Sequence, residues 1–388
     1  MAWESVHQFQ CPTRVFFGVG AAALVGDKLA ELGVTHALVV SDSGVQAAGI
    51  VDQIAERICT RGIAVSIYAA TQPNPTTTNV AEAAALWGEH DCDGLVGLGG
   101  GSSMDCAKGA GIVVANGGPV ADYTGTDNVP NDLPPLVCLP TTCGTGSEVT
   151  FNAVITDPDA HFKLVYVTRR LAPDVALVDP ELVLPAPDHV IAATGADALA
   201  HAIESYVNKG ADPLLDAINI AAIRMIGENL RAAVRERDPH AVAQMALAST
   251  MAGIAFNMNA NAIVHAASTP VTARHDVPHG IANGIFMPAG LAFLAPACRP
   301  QLRRIAEALG EDVSRLSEAK VADRAVAAVR ELLADVGVPA TLREFGVDPG
   351  DVDIPTLVED AMKSRNIVTN PRPVEPADLA ELYRVVLG

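Results

Sequence analysis

Short aliphatic runs alternate with helix-length segments along the first half of the chain. The first run ends in a Ser-Asp-Ser-Gly turn at 41–44, and the third ends in three glycines at 99–101. Short apolar runs bounded by polar loops are typical of strands buried on both faces, which helices cover in a parallel sheet. The pattern therefore predicts an α/β domain with a mostly parallel sheet. The predicted strands are 37–40, 64–68, 94–98 and 136–139, and a helix is predicted over 79–90.

The pattern changes after the proline-containing segment 184–187. Long alanine- and leucine-rich segments with helical periodicity follow, without a convincing strand. We therefore predict two domains, an α/β domain over 1–184 and an all-α domain over 185–388, and the length of 388 residues suits this number. The predicted helices of the second domain are 189–207, 213–236, 241–256, 301–309, 318–336 and 375–387.

One long segment of the second domain carries no charge. Residues 241–273 contain no Lys, Arg, Asp or Glu, and this length would allow a membrane-spanning helix. The segment nevertheless includes Asn257, Asn259, Asn261 and His265, whose polar groups are costly in lipid. We predict helices buried around a polar site, and no membrane segment. The N-terminus also lacks the basic and apolar regions of a signal peptide.

The charge balance excludes several classes of partner. The chain has 45 Asp and Glu against 26 Lys and Arg, which gives a formal net charge of -19. Such an acidic surface repels nucleic acid and anionic lipid. The seven cysteines form no CxxC pair and no zinc-ribbon spacing, which indicates a reduced, cytoplasmic location. An anionic cofactor would have to be held by local groups.

Two polar loops that follow predicted strands suit a nucleotide. Segment 99–103, with three glycines and two serines, opens a helix whose free N–H groups and dipole attract phosphate. Segment 140–150 places several hydroxyls beside two glycines. Taken singly, the first loop could equally be a tight turn and the second a capped helix start. Two loops at the carboxyl ends of parallel strands favour a bound nucleotide, because ligands of open α/β sheets bind there.

Asp42 follows the first predicted strand. Its carboxylate could accept hydrogen bonds from an adenosine ribose, and its charge would repel a 2′-phosphate. The alternative is that Asp42 caps a helix.

Four residues of the helical domain form a candidate metal-ligand set. Asp197 and His201 share a helix face, while His265 lies in the uncharged segment and His279 in a predicted turn. Each has an ordinary alternative, namely a hydrogen-bonded Asp–His pair, a core histidine with a polar partner and a surface histidine. Together, one carboxylate and three imidazoles suit Fe²⁺ or Zn²⁺ rather than Ca²⁺ or Mg²⁺. A fifth position would remain for a substrate oxygen.

These motifs together resemble the iron-containing (group III) alcohol dehydrogenase family over nearly the whole chain. The most specific parts are Gly99-Gly100-Gly101-Ser102 with Asp105, segment 140–150, segment 194–199 with His201, and His265 with Pro278-His279-Gly280. The resemblance implies an α/β N-terminal dinucleotide-binding domain, an all-α C-terminal domain and an active site in the interdomain cleft. It implies hydride transfer between NAD(H) and a small primary alcohol or aldehyde, with Fe²⁺ or Zn²⁺ as Lewis acid, commonly in a homodimer.

The resemblance also assigns residues. The metal ligands would be Asp197, His201, His265 and His279. The nucleotide contacts would be Asp42, Asn74, Gly100, Gly101, Ser102, Ser103, Thr141, Thr142, Thr145 and Lys163. The acidic residue at 42 favours NAD(H) over NADP(H), and Lys163 would place a positive charge by the cofactor, although the lysine alone would suggest a solvated side chain.

The sequence departs from the family pattern near His265. Many members carry a second histidine four residues later, where this chain has Thr269. A proton relay would then need Thr269, the ribose hydroxyls, a water chain or nearby His275. Arg274 and His275 also replace commonly aromatic residues, which suggests a polar pocket for an aldehyde with a carboxylate or phosphonate tail. The alternative is that Arg274 faces solvent or pairs with Asp276.

Related groups offer other functions for the same fold. Zinc-containing glycerol dehydrogenases and dehydroquinate synthases, which are lyases, share it. The Asp/His/His/His set and segment 140–148 favour the alcohol dehydrogenases. A catalytically inactive nucleotide- or metal-binding protein is a further alternative, which the retention of all four candidate ligands disfavours.

Overall fold

The computed structural model describes residues 6–160, 162–210 and 212–388, which divide into two units. The first unit is Cys11–Ala186, and the second joins residues 6–10 to Pro187–Gly388. In sequence, the division falls within the proline-containing segment 184–187.

Among the described residues of the first unit there are nine strands and six α-helices. The strands are β1 (Arg14–Phe17), β2 (His36–Val40), β3 (Ala64–Tyr68), β4 (Gly94–Gly99), β5 (Gly125–Thr126), β6 (Leu136–Pro140), β7 (Asn152–Asp157), β8 (Phe162–Val167) and β9 (Val175–Val178). The helices are α1 (Val25–Glu31), α2 (Ser43–Ala47), α3 (Ile50–Cys59), α4 (Thr77–Glu89), α5 (Gly101–Asn116) and α6 (Pro180–Val183). All four predicted strands and the predicted helix over 79–90 are present.

Six of these strands form an entirely parallel sheet in the order β1-β9-β6-β4-β2-β3. Successive side chains of a strand point to opposite faces. Accordingly, Leu38 and Val40 of β2 join one hydrophobic cluster, while Ala37 and Val39 join another. The predicted parallel sheet with both faces covered is confirmed. Because β4 and β6 are neighbours, the loops that follow them lie at the same edge of the sheet.

A second, three-stranded sheet in the order β5-β8-β7 was not predicted. In it β7 and β8 are antiparallel, and Thr156 pairs with Lys163. These strands are only half-buried, and a charged or polar residue interrupts each, so they lack the aliphatic signature of the main sheet.

The described residues of the second unit form helices joined by loops, with no strand among them. Its helices are α7 (Asp188–Val207), α8 (Pro213–Arg235), α9 (Pro239–Asn259), α10 (Ile263–His275), α11 (His279–Leu294), α12 (Arg299–Ala308), α13 (Glu318–Asp335), α14 (Leu342–Phe345), α15 (Ile354–Met362) and α16 (Pro376–Leu387). All six predicted helices are present within a few residues at each end. The uncharged segment forms α9 and most of α10, in agreement with the prediction of buried helices.

The turn predicted at His279 is wrong. His279 is the first residue of α11, and the preceding Pro278 occupies the N-cap position. A proline is compatible with a helix start, since the first N–H groups have no partner within the helix.

Two helical segments, Pro239–Asn259 and residues 279–297, have the length and composition of a membrane span. In each, 61% of the apolar window is buried inside the protein, as in core helices of soluble proteins. Two such helices are only weak evidence for a membrane segment.

Candidate active site

The two predicted nucleotide loops are in contact. Gly101 packs so closely against Thr145 that a Cβ at residue 101 would lie 2.6 Å from the Thr145 methyl carbon. Gly100 faces Thr142, and the Thr141 N–H donates to the Gly99 carbonyl at 2.9 Å. The first turn of α5 contains Gly101, Ser102 and Ser103, with Gly100 as its N-cap. This helix start, with glycines that let a ligand reach the backbone, has the features of a pyrophosphate site.

Asp42 is the N-cap of α2. Its Oδ1 accepts from the N–H groups of Gly44 and Val45 at 2.9 and 3.0 Å. Its Oδ2 accepts from the Ser103 hydroxyl at 3.1 Å, so Asp42 joins the two nearby helix starts. The capping alternative is therefore realised, and the carboxylate still lies beside the glycine loop.

Asn74 and Lys163 form a pair with each other. The Lys163 ammonium donates to the Asn74 side-chain carbonyl at 3.0 Å. Asn74 has a φ of 55°, in the left-handed region that asparagine tolerates better than most residues. Lys163 lies on β8 of the second sheet, and its half-buried ammonium contacts Asn74 in the loop after β3. The positive φ of Asn74 is a strained backbone conformation.

A fully buried lysine lies beneath the second loop. The Lys108 ammonium donates to the Ser147 carbonyl at 2.7 Å, the Thr150 carbonyl at 2.9 Å and the Asn152 carbonyl at 3.0 Å. Asp105, one turn earlier on α5, accepts from the Ser147 hydroxyl at 2.7 Å and from the Val154 N–H at 2.9 Å. These bonds fix segment 147–154 to α5 and thereby the loop that faces the helix start.

In the helical unit, polar atoms of three predicted metal ligands lie within 4.8 Å of one another. These residues are Asp197 of α7, His265 of α10 and His279 of α11. Oδ1 of Asp197 lies 3.8 Å from Nε2 of His265 and 3.9 Å from Nε2 of His279. Gly280 makes this arrangement feasible, because any Cβ there would collide with the Ala193 carbonyl of α7.

His201 lies beside this group. Its Nε2 is 3.9 Å from Oδ1 of Asp197, and its ring stacks on that of His265 with 4.6 Å between centroids. The His201 ring also stacks on the Phe256 ring, with 4.1 Å between the ring centroids. The structure therefore places three histidine nitrogens around one carboxylate oxygen, although His201 does not belong to the closer group of Asp197, His265 and His279.

A fifth residue, Asn283, contacts this cluster from α11. Its side-chain nitrogen lies 2.7 Å from Oδ1 of Asp197, 3.1 Å from Nε2 of His265 and 3.2 Å from Nε2 of His279. The Ser268 hydroxyl donates to Oδ1 of Asn283 at 2.5 Å and so fixes the amide orientation. The Asn283 amide nitrogen thus lies within hydrogen-bond distance of three of the candidate ligands.

The electrostatics of Asp197 agree with this geometry. Burial raises the pKa of its carboxyl, but His201, His279, His265 and the Asn283 amide together outweigh burial, and the net pKa is lowered. The carboxylate is therefore ionised and can supply a negative ligand.

The matches to known families are decisive once this geometry is established. Residues 12–180 match the family described as iron-containing alcohol dehydrogenase, and residues 191–387 match its C-terminal family. The chain belongs to the iron-containing alcohol dehydrogenase family. The resemblance inferred from the motifs is thereby confirmed.

Several alcohol dehydrogenases are similar over the full chain. The NAD-dependent methanol dehydrogenase of Bacillus methanolicus is 40% identical, covering 98% of this chain and 99% of its own. The 1,3-propanediol dehydrogenase of Klebsiella pneumoniae is 40% identical, covering 96% and 97%. A crystal structure of 1,3-propanediol oxidoreductase has a TM-score of 0.95 at 38% identity, covering 99% and 100%. The predicted fold class and the predicted NAD-dependent alcohol dehydrogenase class are confirmed.

The predicted cofactors, NAD(H) and iron, are those of this iron-containing family and of its NAD-dependent relatives. The residues of this chain fit both. The first N–H groups of α5 and the Ser102 and Ser103 hydroxyls can donate to a phosphate, and the carboxylate and imidazoles of the helical unit suit a divalent ion. In a tetrahedral site with metal–nitrogen distances of ~2.1 Å, ligand atoms lie roughly 3.4 Å apart. The 3.8–3.9 Å separations around Asp197 differ from this by only a few tenths of an ångström. The assignments of individual ligands and contacts stay predictions.

The three predicted catalytic residues all lie on α10, but each makes different contacts. The Thr269 hydroxyl donates to the His265 carbonyl at 2.7 Å, one turn earlier. Arg274 donates to Asp360 of α15 through both Nε and a terminal nitrogen, at 2.9 and 2.6 Å. Arg274 is exposed, as its solvent-facing alternative predicts, but its ion-pair partner is Asp360 and not Asp276. His275 is the last residue of α10 and is partly exposed.

Sequence reasoning missed several residues that support these sites. Glu204 contacts His265. Asn283 and Ser268 contact each other within the metal-ligand cluster, and Lys108 supports the 140–150 loop. Helical spacing could have indicated two of them, since Glu204 lies seven residues after Asp197 and Asn283 four after His279.

Proposed function

We propose that this enzyme interconverts a small primary alcohol and its aldehyde with NAD(H), using iron held by Asp197, His201, His265 and His279. The convergence of three imidazole nitrogens on one buried, ionised carboxylate carries the proposal. When bound, the ion would supply Lewis-acid chemistry to the substrate oxygen. The relatives that act on methanol and 1,3-propanediol support a short-chain substrate.

The chain's own groups would hold the cofactor. N–H groups at the start of α5, with Ser102 and Ser103, would bind the pyrophosphate, and hydroxyls of Thr141, Thr142 and Thr145 would add donors. When the cofactor binds, the Asp42 carboxylate would accept a hydrogen bond from a ribose hydroxyl in place of the one that it accepts from the Ser103 hydroxyl. With a net charge of -19, the protein depends on these neutral donors and on Lys163 to bind an anion.

The geometry of α10 favours a neutral substrate over one with a carboxylate or phosphonate tail. Arg274 follows His265 by nine residues, or about two and a half helical turns, and so lies on the opposite helix face. Its charge is also paired with Asp360, which lies only 2.6 Å away. A pocket at His265 therefore receives little charge from Arg274.

Thr269 and His275 are the proposed proton-relay residues. Thr269 follows His265 by one turn on the same helix face, and its oxygen can still accept a hydrogen bond while its proton is held by the His265 carbonyl. His275 is partly exposed and could exchange a proton with solvent. Loss of the imidazole in His275→Ala should lower kcat at neutral pH, and added imidazole should restore part of it.

We further propose that the enzyme works in the cytoplasm as a homodimer or larger homo-oligomer. Its cysteines are all free, as expected in a reducing compartment. Light scattering of the purified chain would measure the assembly state, and a monomer at micromolar concentration would contradict that part of the proposal.

The decisive experiment is metal reconstitution with a substrate panel. Chelated protein is reloaded with Fe²⁺ or Zn²⁺, and NADH oxidation is followed with short neutral aldehydes and with size-matched anionic aldehydes. We expect turnover with Fe²⁺ and neutral aldehydes, and little effect of Arg274→Ala. A preference for the anionic aldehydes that Arg274→Ala abolishes would instead support the tailed substrate. NADH binding without turnover under any condition would support the inactive binding protein.

A further inference from the structure

Glu204 is a fully buried acid of α7 whose partners all lie at the start of α10. One carboxylate oxygen accepts from the Val264 N–H at 2.7 Å. The other accepts from the His265 N–H at 3.2 Å and contacts Nδ1 of the His265 ring at 2.5 Å. Along α7, Glu204 follows Asp197 by seven residues and His201 by three, so all three project from one side of the helix.

The backbone contacts make Glu204 the cap of α10. The N-cap position is held by Ala262, whose methyl group cannot accept a hydrogen bond. The first N–H groups of a helix need acceptors, and a negative charge is favoured at this end. A carboxylate from another helix thus supplies what the local sequence does not, and it ties α10 to α7.

The ring contact determines which nitrogen of His265 carries the proton. A carboxylate can only accept, so Nδ1 must be the donor in this contact. In a neutral imidazole the other nitrogen, Nε2, then has a free electron pair. That nitrogen is the one that lies 3.8 Å from Oδ1 of Asp197 and 3.1 Å from the Asn283 amide.

We infer that Glu204 is a positioning residue of the metal site, which fixes the place and the tautomer of His265 and thereby sets metal affinity. The inference rests on the proposed metal-dependent function. Carboxylates that hold the outer nitrogen of a ligand histidine typically contribute 10–100-fold to metal affinity.

The first test measures metal affinity in Glu204→Gln. The glutamine amide has nearly the same shape but offers an N–H donor, which would favour the opposite His265 tautomer. We expect the Zn²⁺ dissociation constant, measured by chelator competition, to rise by about 10–100-fold. Glu204→Asp retains an acceptor and should recover part of the affinity.

Asp238→Ala is the matched control. Asp238 caps α9 through the Ala241 N–H at 2.9 Å, in the same helical unit. Its removal should lower stability as the loss of a helix cap does, while leaving Zn²⁺ affinity within twofold of wild type. Equal affinities for wild type and Glu204→Gln would overturn the inference.

The second test uses metal-free protein and therefore does not depend on metal binding. Nitrogen-15 chemical shifts of His265 distinguish the two neutral tautomers. We expect protonated Nδ1 in wild type and in Glu204→Asp, and a shift toward protonated Nε2 in Glu204→Gln. An unchanged tautomer would overturn the positioning role. Wild-type protein that binds neither Zn²⁺ nor Fe²⁺ would instead refute the proposed function, and with it the role of Glu204 in metal affinity.

Discussion

Two buried polar clusters, one in each unit, are built around central groups of opposite charge. Around Lys108, one ammonium group is surrounded by the carbonyl and hydroxyl oxygens of Ser147 and Thr150 and by the Asn152 carbonyl. Around Asp197, one carboxylate is surrounded by three imidazole nitrogens and a single amide group. The first cluster is built around a cation of the chain, whereas the second is built around an anion.

The difference separates a structural cluster from a binding site. Burial lowers the pKa of Lys108 and raises the pKa of Asp105, and their mutual attraction opposes both shifts. That pair, with its bonded oxygens, is complete without a ligand. The Asp197 cluster instead consists of a carboxylate and imidazoles, which are the groups that bind a divalent metal ion.

The largest stability effect should come from removing the buried cation. Lys108→Met leaves the Ser147, Thr150 and Asn152 oxygens without their donor and Asp105 without the attraction of a nearby cation, and removing one member of a buried charged network costs about 3–5 kcal/mol. Urea unfolding should show this loss, together with weaker NADH binding because the 140–150 loop loses its support. Lys363→Met is the control, since Lys363 is about half exposed and its ion pairs should contribute little. If the free energy of unfolding of Lys108→Met falls by less than about 1 kcal/mol, Lys108 does not have the proposed structural role.

Removing the anion from each cluster should give contrasting results. Asp197→Asn keeps an acceptor for Asn283 but removes the charge, so metal affinity should fall by ~100-fold or more, beyond the loss typical of a supporting residue. In chelated protein its stability should change by less than about 1 kcal/mol, because no chain cation is left unpaired. Asp105→Asn, which strands Lys108, should lose about 3 kcal/mol. Equal stability losses in the two variants would remove the distinction between the clusters.

A smaller effect is expected from the support of the amide. Ser268→Ala removes the donor that orients Asn283, both of which are fully buried. We expect a loss of about 1–2 kcal/mol, as for other buried hydrogen bonds, and a several-fold weaker Zn²⁺ affinity. Ser205→Ala is the control, because the Ser205 hydroxyl accepts from another buried amide, that of Asn219, at 3.0 Å. Calorimetry should show similar losses of stability in Ser268→Ala and Ser205→Ala. Chelator competition should show a weaker Zn²⁺ affinity in Ser268→Ala only.

The sequence predicted those parts of this comparison that follow from local pattern. Aliphatic runs gave the strands before the glycine loops, and residue spacing gave Asp197 and His201 on one face of α7. The start of α11 at His279 was missed because Pro and Gly around it suggest a turn, while its close packing on Ala193 is a tertiary contact. Glu204 was missed for a similar reason, since its partners lie 60 and 61 residues away in the chain. The pairing of Arg274 with Asp360 is likewise invisible to local pattern.

A third acidic group, Asp216 of α8, extends the comparison to a half-buried carboxyl. Its Oδ1 has no hydrogen-bond partner among the described residues. Burial and the neighbouring Asp212 raise the pKa of Asp216 from 3.8 to about 6, against the attraction of Arg304. Folding therefore favours its protonated form, and this contribution to stability is full below about pH 4 and lost as the pH rises through about 6.

Asp216→Asn should accordingly stabilise the protein only above this window. At about pH 8 we expect a gain of ~1 kcal/mol, less than the full pKa shift implies because solvent screens a half-buried site. Near pH 3 or below the gain should vanish, since the wild-type carboxyl is then mostly neutral in both the folded and the unfolded chain. Thermal unfolding of both proteins across this range provides the measurement. A gain that does not depend on pH would show that the raised pKa of Asp216 makes no contribution to stability.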